Sequence, residues 1–221
     1  MPDPLTLFGY RYSSYTRIVR IVLRELGVSY TYQETDPFSD TPPKDLLAIH
    51  PFGHVPALQH GTFALYETAV MTRYLAETFG GKNGAPPLLP DDTHRAARMA
   101  QVIAIIDGHA YRPMVRQVFA NRVFGPAEGQ VPNETDVAEG LKASAKVLSV
   151  LDGIAAEGLC LDARNCTLAD CHLAPTIDYF IKAPEGAALF ETFPALTHWW
   201  VHLPIRMALE ATDPGLPNDG T

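Results

Sequence analysis

Cysteine is scarce: the 221 residues hold three, at positions 160, 166 and 171. An odd count at this length builds no disulfide framework, and C-x5-C-x4-C matches no common zinc spacing. Buried thiols in a reducing cytoplasm, with no metal, are the expectation. No apolar run approaches the ~20 residues a helix needs to cross a bilayer. The opening Met1-Pro-Asp-Pro lacks a basic stretch followed by an apolar one, so no secretory leader is expected. Positive charge is short as well. Lys and Arg number 17 against 25 Asp and Glu, a formal net charge of −8. That disfavours a nucleic-acid partner, which needs clustered cations to neutralise phosphates. The densest basic group, Arg11, Arg17, Arg20 and Arg24, is strung along one segment and reads as the solvated face of a helix.

Apolar mass is plentiful. Hydrophobic residues make up 47% and charged residues 19%, which suits a packed core and excludes disorder. The length allows one large domain or two small ones, and no internal repeat is present. Leu5 to Tyr10 reads as a buried strand. Val19, Val22, Leu23 and Leu26 follow at i, i+3, i+4, i+7, with serines leading in and Gly27 following: an amphipathic helix with start and stop signals. Val28 to Gln33 reads as a strand, and 35–46 as irregular with a short helix near 44–48. Val55–Gln59 and Thr62–Tyr66 read as a hairpin turning at His60-Gly61. Glu67–Phe79 reads as a helix with Val70, Tyr74 and Leu75 on one side. The Gly- and Pro-rich stretch 82–92 is the candidate linker between a first domain, 1–81, and a second, 93–221. Beyond it every periodic segment is helical: 93–123, with a kink expected at Pro113, then 135–157, 167–182 and 194–211. Residues 214–221 read as a frayed tail.

Three motifs carry chemistry. In His50-Pro-Phe-Gly-His-Val-Pro-Ala-Leu58, Pro56 opens a strand directly after a loop, a place suited to a residue that cannot donate to the ladder. A cis Val55–Pro56 bond there would turn the backbone of Val55 outward, to pair with an extended peptide; an ordinary trans turn is the alternative. Glu67-Thr68 opens a helix, where free N–H groups and the positive dipole end attract a carboxylate while Glu67 accepts from an ammonium. That combination suits an amino-acid head group; a plain helix cap is the alternative. Ser13-Ser14-Tyr15-Thr16 stands at another helix start. A hydroxyl there can donate to a thiolate, whose thiol has a reference pKa of about 8.5 and needs such help at neutral pH. Simple capping is again the alternative.

In this order and spacing the motifs resemble the cytosolic-type, bacterial glutathione S-transferase family, with its N-P-x-G-x-V-P-x-L pattern and Glu/Gln-Ser pair. Cys166-Thr-Leu-Ala-Asp-Cys-His-Leu-Ala-Pro175 is similar to the family's S/T-x-A-D capping segment. Thr167 and Asp170 occupy the capping positions, and Cys166 and Cys171 the flanking apolar ones. The resemblance implies an α/β plus all-α fold: a thioredoxin-like domain of order β-α-β-α-β-β-α, then a helical bundle. It implies that Val55, beside cis Pro56, pairs its backbone with the cysteinyl part of glutathione. Glu67 and Thr68 hold the γ-glutamyl end. His54 stands near the glycyl carboxylate and matches it when protonated. In serine-type members the first serine after strand one assists the thiolate, here Ser13, with Ser14, Tyr15 and more distantly Tyr10 as alternatives. No cysteine stands at this position, so the cysteine-based subtypes are not expected.

The resemblance further implies an electrophile pocket from the second domain, with candidates Tyr111, Met114, Val115, Val118 and Phe119. Arg112 and Arg116 would favour an anionic co-substrate, or else make surface ion pairs. Asp107 stands where an acidic residue of a partner subunit reaches the glutathione amine. The expected enzyme is a homodimeric, cytoplasmic transferase that adds glutathione, its only cofactor, to a small hydrophobic or anionic electrophile. Two alternatives stay open. Ser13 to Leu23 keeps the serines, Val19 and Arg20 of the zeta-class S-S-C-S-W-R-V-R-I-A-L pattern, though Tyr15, Arg17 and Ile18 depart from it, so a glutathione-dependent cis-trans isomerase is one. A non-catalytic ligand- or protein-binding member is the other. Of the adjacent Trp199 and Trp200 one is expected in the core, and His172 and His198 are expected to be structural.

Overall fold

A computed structural model describes residues 3–38 and 44–217. The irregular stretch expected at 35–46 and the tail expected at 214–221 therefore lie partly outside the described residues. The chain forms two compact units: Met1–Leu89 with Glu210–Pro214, and Pro90–Leu209 with Gly215–Thr221.

The first unit runs β1 (Leu5–Gly9), α1 (Ser14–Glu25), β2 (Thr31–Glu34), α2 (Lys44–Ile49), β3 (Ala57–His60), β4 (Phe63–Tyr66) and α3 (Thr68–Phe79). The sheet order is β2-β1-β3-β4, with β1 parallel to β2 and the other pairs antiparallel. Phe8 and Ala57, paired in register, pack with Leu46 of α2 in one apolar cluster. α1 and α3 pack on each other.

The apolar face of α1 is wider than its spacing predicts, because Ile18 and Ile21 are buried along with Val19, Val22, Leu23 and Leu26. Arg17 corrects the reading of a solvated basic face: it is buried, at 1% exposure, while Arg11 and Arg24 are exposed. In α3 the buried side is Thr68, Met71, Thr72, Leu75 and Ala76, and Val70 points to solvent. Gly9 is required for a close approach. A Cβ there would collide with Thr16 Cγ2, and the Tyr10 N–H donates to Thr16 Oγ1 at 3.3 Å.

The second unit is helical. α4 (Thr93–Ile105), capped by Asp92, which accepts from the Arg95 N–H, runs on into a π-helical segment, Ile106–Phe124, that contains Pro113. Then come α5 (Gly125–Ala127), α6 (Glu134–Glu157), α7 (Leu168–Ile181), α8 (Pro184–Phe190), α9 (Pro194–Val201) and α10 (Arg206–Ala211). The single helix expected over 194–211 is two, broken around Pro204, and α8 begins at Pro184, a residue suited to a first helical position. Asp170 ties the unit together. Its carboxylate accepts from the Thr167 N–H and hydroxyl and from Trp199 Nε1, each at 2.8 Å. Trp199 is fully buried and Trp200 half-buried.

Candidate functional site

Sheet register brings the three motifs of the first unit to one edge. Phe8 pairs with Ala57 and Ala57 with Tyr66. The chain therefore leaves β1 toward Ser13, enters β3 from Val55-Pro56 and leaves β4 into Glu67 at the same end of the sheet. Residues more than fifty positions apart converge because antiparallel strands bring opposite chain ends together.

Ser13 sits just before α1 with extended backbone, φ −72° and ψ 121°, and its oxygen accepts from the Thr16 N–H at 3.2 Å. A hydroxyl has one hydrogen and two lone pairs, so this cap leaves the O–H as a donor. Ser13 and Tyr15 are half-buried, whereas Ser14 is buried.

The Val55–Pro56 peptide is cis. Pro56 is buried and Val55 half-buried. Among the described residues, neither the N–H nor the C=O of Val55 makes a backbone hydrogen bond. A half-buried residue with both main-chain groups unpaired beside a sheet offers a ready strand-like docking edge.

Glu67 adopts φ 70° and ψ 113°. Positive φ is uncommon for a residue other than glycine and costs free energy that the surrounding structure must sustain, which is a mark of functional sites. Glu67 makes no side-chain cap and is exposed. Thr68, at the first helical position of α3, is buried. Among the described residues its N–H and that of Ala69 have no backbone acceptor, so the helix start presents free donors.

His54, just before Val55, is exposed, and its ring lies 5.6 Å from that of the buried His50. Burial holds the His50 imidazole below its ordinary pKa, helped by the neighbouring His54 and opposed by Glu67. An aromatic group beside Ser13 escaped the sequence reading. Tyr10 meets Tyr12 edge-on at 5.5 Å and Phe38 at 5.9 Å, with Phe38 largely exposed. Tyr10 and Tyr12 alternate around Arg11, a weak signal, but Phe38 joins them only through the fold.

On the second unit Asp107, Arg112 and Arg116 are exposed and Tyr111 is half-buried. Met114 and Val118 are wholly buried. Val115 and Phe119 pack with Tyr179 in a core cluster bordered by Tyr111, and Phe119 stacks on Tyr179 at 4.4 Å. Among the described residues no group of three metal-ligating side chains assembles, and no helix is long and apolar enough to cross a membrane. A cavity of about 490 Å³, lined by Leu5, Gly27, His60, Phe79 and Lys82 among others, lies at the other end of the first unit's sheet and shares no residue with the site.

Comparison with known proteins identifies the family. Residues 7–83 match the glutathione S-transferase N-terminal domain and residues 109–204 the C-terminal domain. Glutathione S-transferase F13 of Arabidopsis thaliana is 31% identical over 170 residues, 77% of this chain and 76% of that protein. The probable glutathione S-transferase GSTF1 of rice, Oryza sativa subsp. japonica, is 26% identical over 209 residues, 94% of each chain. The structure of glutathione S-transferase III in its apo form superposes with a TM-score of 0.82 at 29% identity, covering 97% of both chains. A theta-class glutathione S-transferase from the citrus canker pathogen Xanthomonas axonopodis pv. citri, with glutathione bound, gives 0.78 at 25% identity, covering 97% of this chain and 99% of that one. The chain belongs to the glutathione S-transferase family.

Proposed function

We propose that the protein binds reduced glutathione at the Ser13–Val55–Glu67 end of its first unit, stabilises the thiolate and conjugates it to an electrophilic small molecule. The observation that carries this is the unpaired backbone of Val55, set by sheet register between the Ser13 cap and the open N-terminus of α3. A γ-linked tripeptide has the matching features: a central peptide for Val55, an amino-acid head for Glu67 and Thr68, and a thiol for Ser13. The theta-class relative with glutathione bound supports the same ligand.

Catalysis on this reading is positioning plus charge stabilisation. The Ser13 O–H donates to the sulfur, and the N-terminus of α1 adds its dipole, so the thiol loses its proton more readily than in water. The thiolate then attacks the electrophilic carbon. A C–S bond forms, and either a leaving group departs or the adduct takes up a proton. The Tyr10, Tyr12 and Phe38 rings, set edge-on to one another, offer an aromatic cluster beside Ser13 for an aromatic electrophile. On the second unit, taken by itself, Arg112 and Arg116 remain the residues that the family resemblance implies for an anionic electrophile, and Asp107 the acid that it assigns to a partner subunit.

The same reading carries a serine-type mechanism, a homodimer and a cytoplasmic setting. Exposed Phe52, Phe63 and Val70 on the first unit support the dimer, and Cys160, Cys166 and Cys171, held as thiols, support a reducing compartment. A conjugation assay with reduced glutathione and an activated halonitroaromatic tests the activity. Thioether product formed only with enzyme is the expected result. Tight glutathione binding without turnover of any electrophile class would leave a binding protein instead.

A further inference from the structure

His50 has a buried imidazole that the site described so far does not use. Its main chain is already engaged, since the N–H donates to the Leu46 carbonyl at 2.7 Å and the carbonyl accepts from Gly53 at 2.9 Å. Neither bond needs an imidazole. The side chain is 3% exposed, and its Nδ1 is buried with no hydrogen-bond partner among the described residues. An unsatisfied buried polar atom costs free energy that an apolar ring of similar shape avoids, so its presence calls for a reason.

The ring's neighbours supply one. It lies 4.8 Å from the Tyr66 ring at a 32° tilt, 5.6 Å from His54 and 6.1 Å from Phe52. Tyr66 directly precedes Glu67, and His54 directly precedes Val55. His50 is thus a wedge between the segments that hold the two ends of the tripeptide. We infer that His50 is a positioning residue: its neutral ring sets the His54–Val55 segment against Tyr66–Glu67, and protonating that ring weakens glutathione binding. This rests on the glutathione reading above.

The groups facing His50 fix the direction. From its own loop comes His54, from the start of α3 the Glu67 carboxylate, and from β4 the Tyr66 phenol. α2 contributes the apolar Leu46 and Ile49 to the adjoining cluster. Burial and the neighbouring His54 both oppose a charge on His50, and only Glu67 favours it. A proton taken up in acid therefore draws the ring toward the Glu67 carboxylate, the same group that receives the ligand's ammonium. Binding then competes with an internal ion pair.

The test is a calorimetric titration of the full chain with reduced glutathione at about pH 7.5, 6.5 and 5.5, a span centred on the imidazole range. Wild type is compared with His50→Phe, which keeps the ring and removes the proton, and with His50→Gln, which serves if the phenylalanine variant does not fold. The wild-type Kd is expected to rise by about fivefold or more toward acid, within the tenfold per pH unit that one proton allows. In both variants that rise should vanish or invert, with KM for glutathione affected more than kcat. A wild-type Kd that is flat or falls toward acid overturns the inference, and so does a variant that keeps the wild-type rise. Absence of binding at about pH 7.5 would instead remove the glutathione reading itself, a result distinct from binding without pH dependence.

Discussion

The Ser13 hydroxyl oxygen accepts from the Thr16 N–H at 3.2 Å, so the side chain caps α1 while its own O–H stays able to donate. The two roles separate by mutation. Ser13→Ala is expected to cost about 1 kcal/mol in urea unfolding through the lost cap. It should also lower kcat by about tenfold to a hundredfold through the lost donor, in the manner of other preorganised donors. Ser13→Thr should retain most of both. Ser14→Ala removes a buried hydroxyl and should change stability more than rate; steady-state kinetics and urea titration on the three variants check this.

Glu67 combines a positive φ of 70° with an exposed carboxylate. Glu67→Gly relieves the backbone and should raise stability by about 0.5–1 kcal/mol. It should also raise KM for glutathione at least about tenfold, as loss of a charge-assisted contact to the ammonium predicts. Glu67→Gln leaves the backbone cost in place and should raise KM alone. A stabler but weaker-binding glycine variant, read by thermal melts and kinetics together, separates strain from contact.

Gly9 meets Thr16 where β1 hands over to α1. A methyl at Gly9 would collide with Thr16 Cγ2 and lie 2.9 Å from Oγ1, and Thr16 is fully buried and bonded to the Tyr10 N–H. Gly9→Ala should therefore destabilise by about 1–3 kcal/mol, the usual range for overpacking. Adding Thr16→Ser, which deletes the colliding methyl, should restore part of that in a double-mutant cycle.

Acid should weaken the fold through His172. Complete burial pushes its pKa down to about 3, against about 6.5 unfolded. Between those values the unfolded chain takes a proton that the folded chain refuses. The contribution is thus fully present above about pH 6.5 and is lost as pH falls, by up to about 1.4 kcal/mol per pH unit. His50, also depressed by burial, adds in the same direction. Urea titrations at about pH 7.5 and 5.5 should show the loss, and His172→Leu should flatten it.

What the sequence made legible were features written in short windows. Helix α1 showed in its apolar spacing, and α7 in Thr167 and Asp170. The His50–Leu58 stretch marked Pro56 as the opening of a strand, whereas the cis Val55–Pro56 bond was legible only through the family resemblance, since a trans turn fits the same letters. Features that depend on distant partners stayed hidden. Arg17 lies on a helix flank that looks solvated in the sequence but is buried in the folded protein. Phe38 meets Tyr10 only after an irregular stretch folds back. The π-helical register of Ile106–Phe124 leaves no mark in composition, since a shift from i→i+4 to i→i+5 changes bonding and not residue type. His50 read as one letter of a motif, and its unpartnered nitrogen emerges only from the packing around it.

The proposed function requires that this end of the first unit bind glutathione and hold its sulfur as a thiolate through Ser13. The most direct measurement is the ultraviolet difference spectrum of the glutathione complex at neutral pH, recorded for wild type and for Ser13→Ala at saturating ligand. A thiolate band in wild type that is lost or shifted to higher pH in the variant is the predicted result. A saturated complex without the band, or a band untouched by Ser13→Ala, would contradict it.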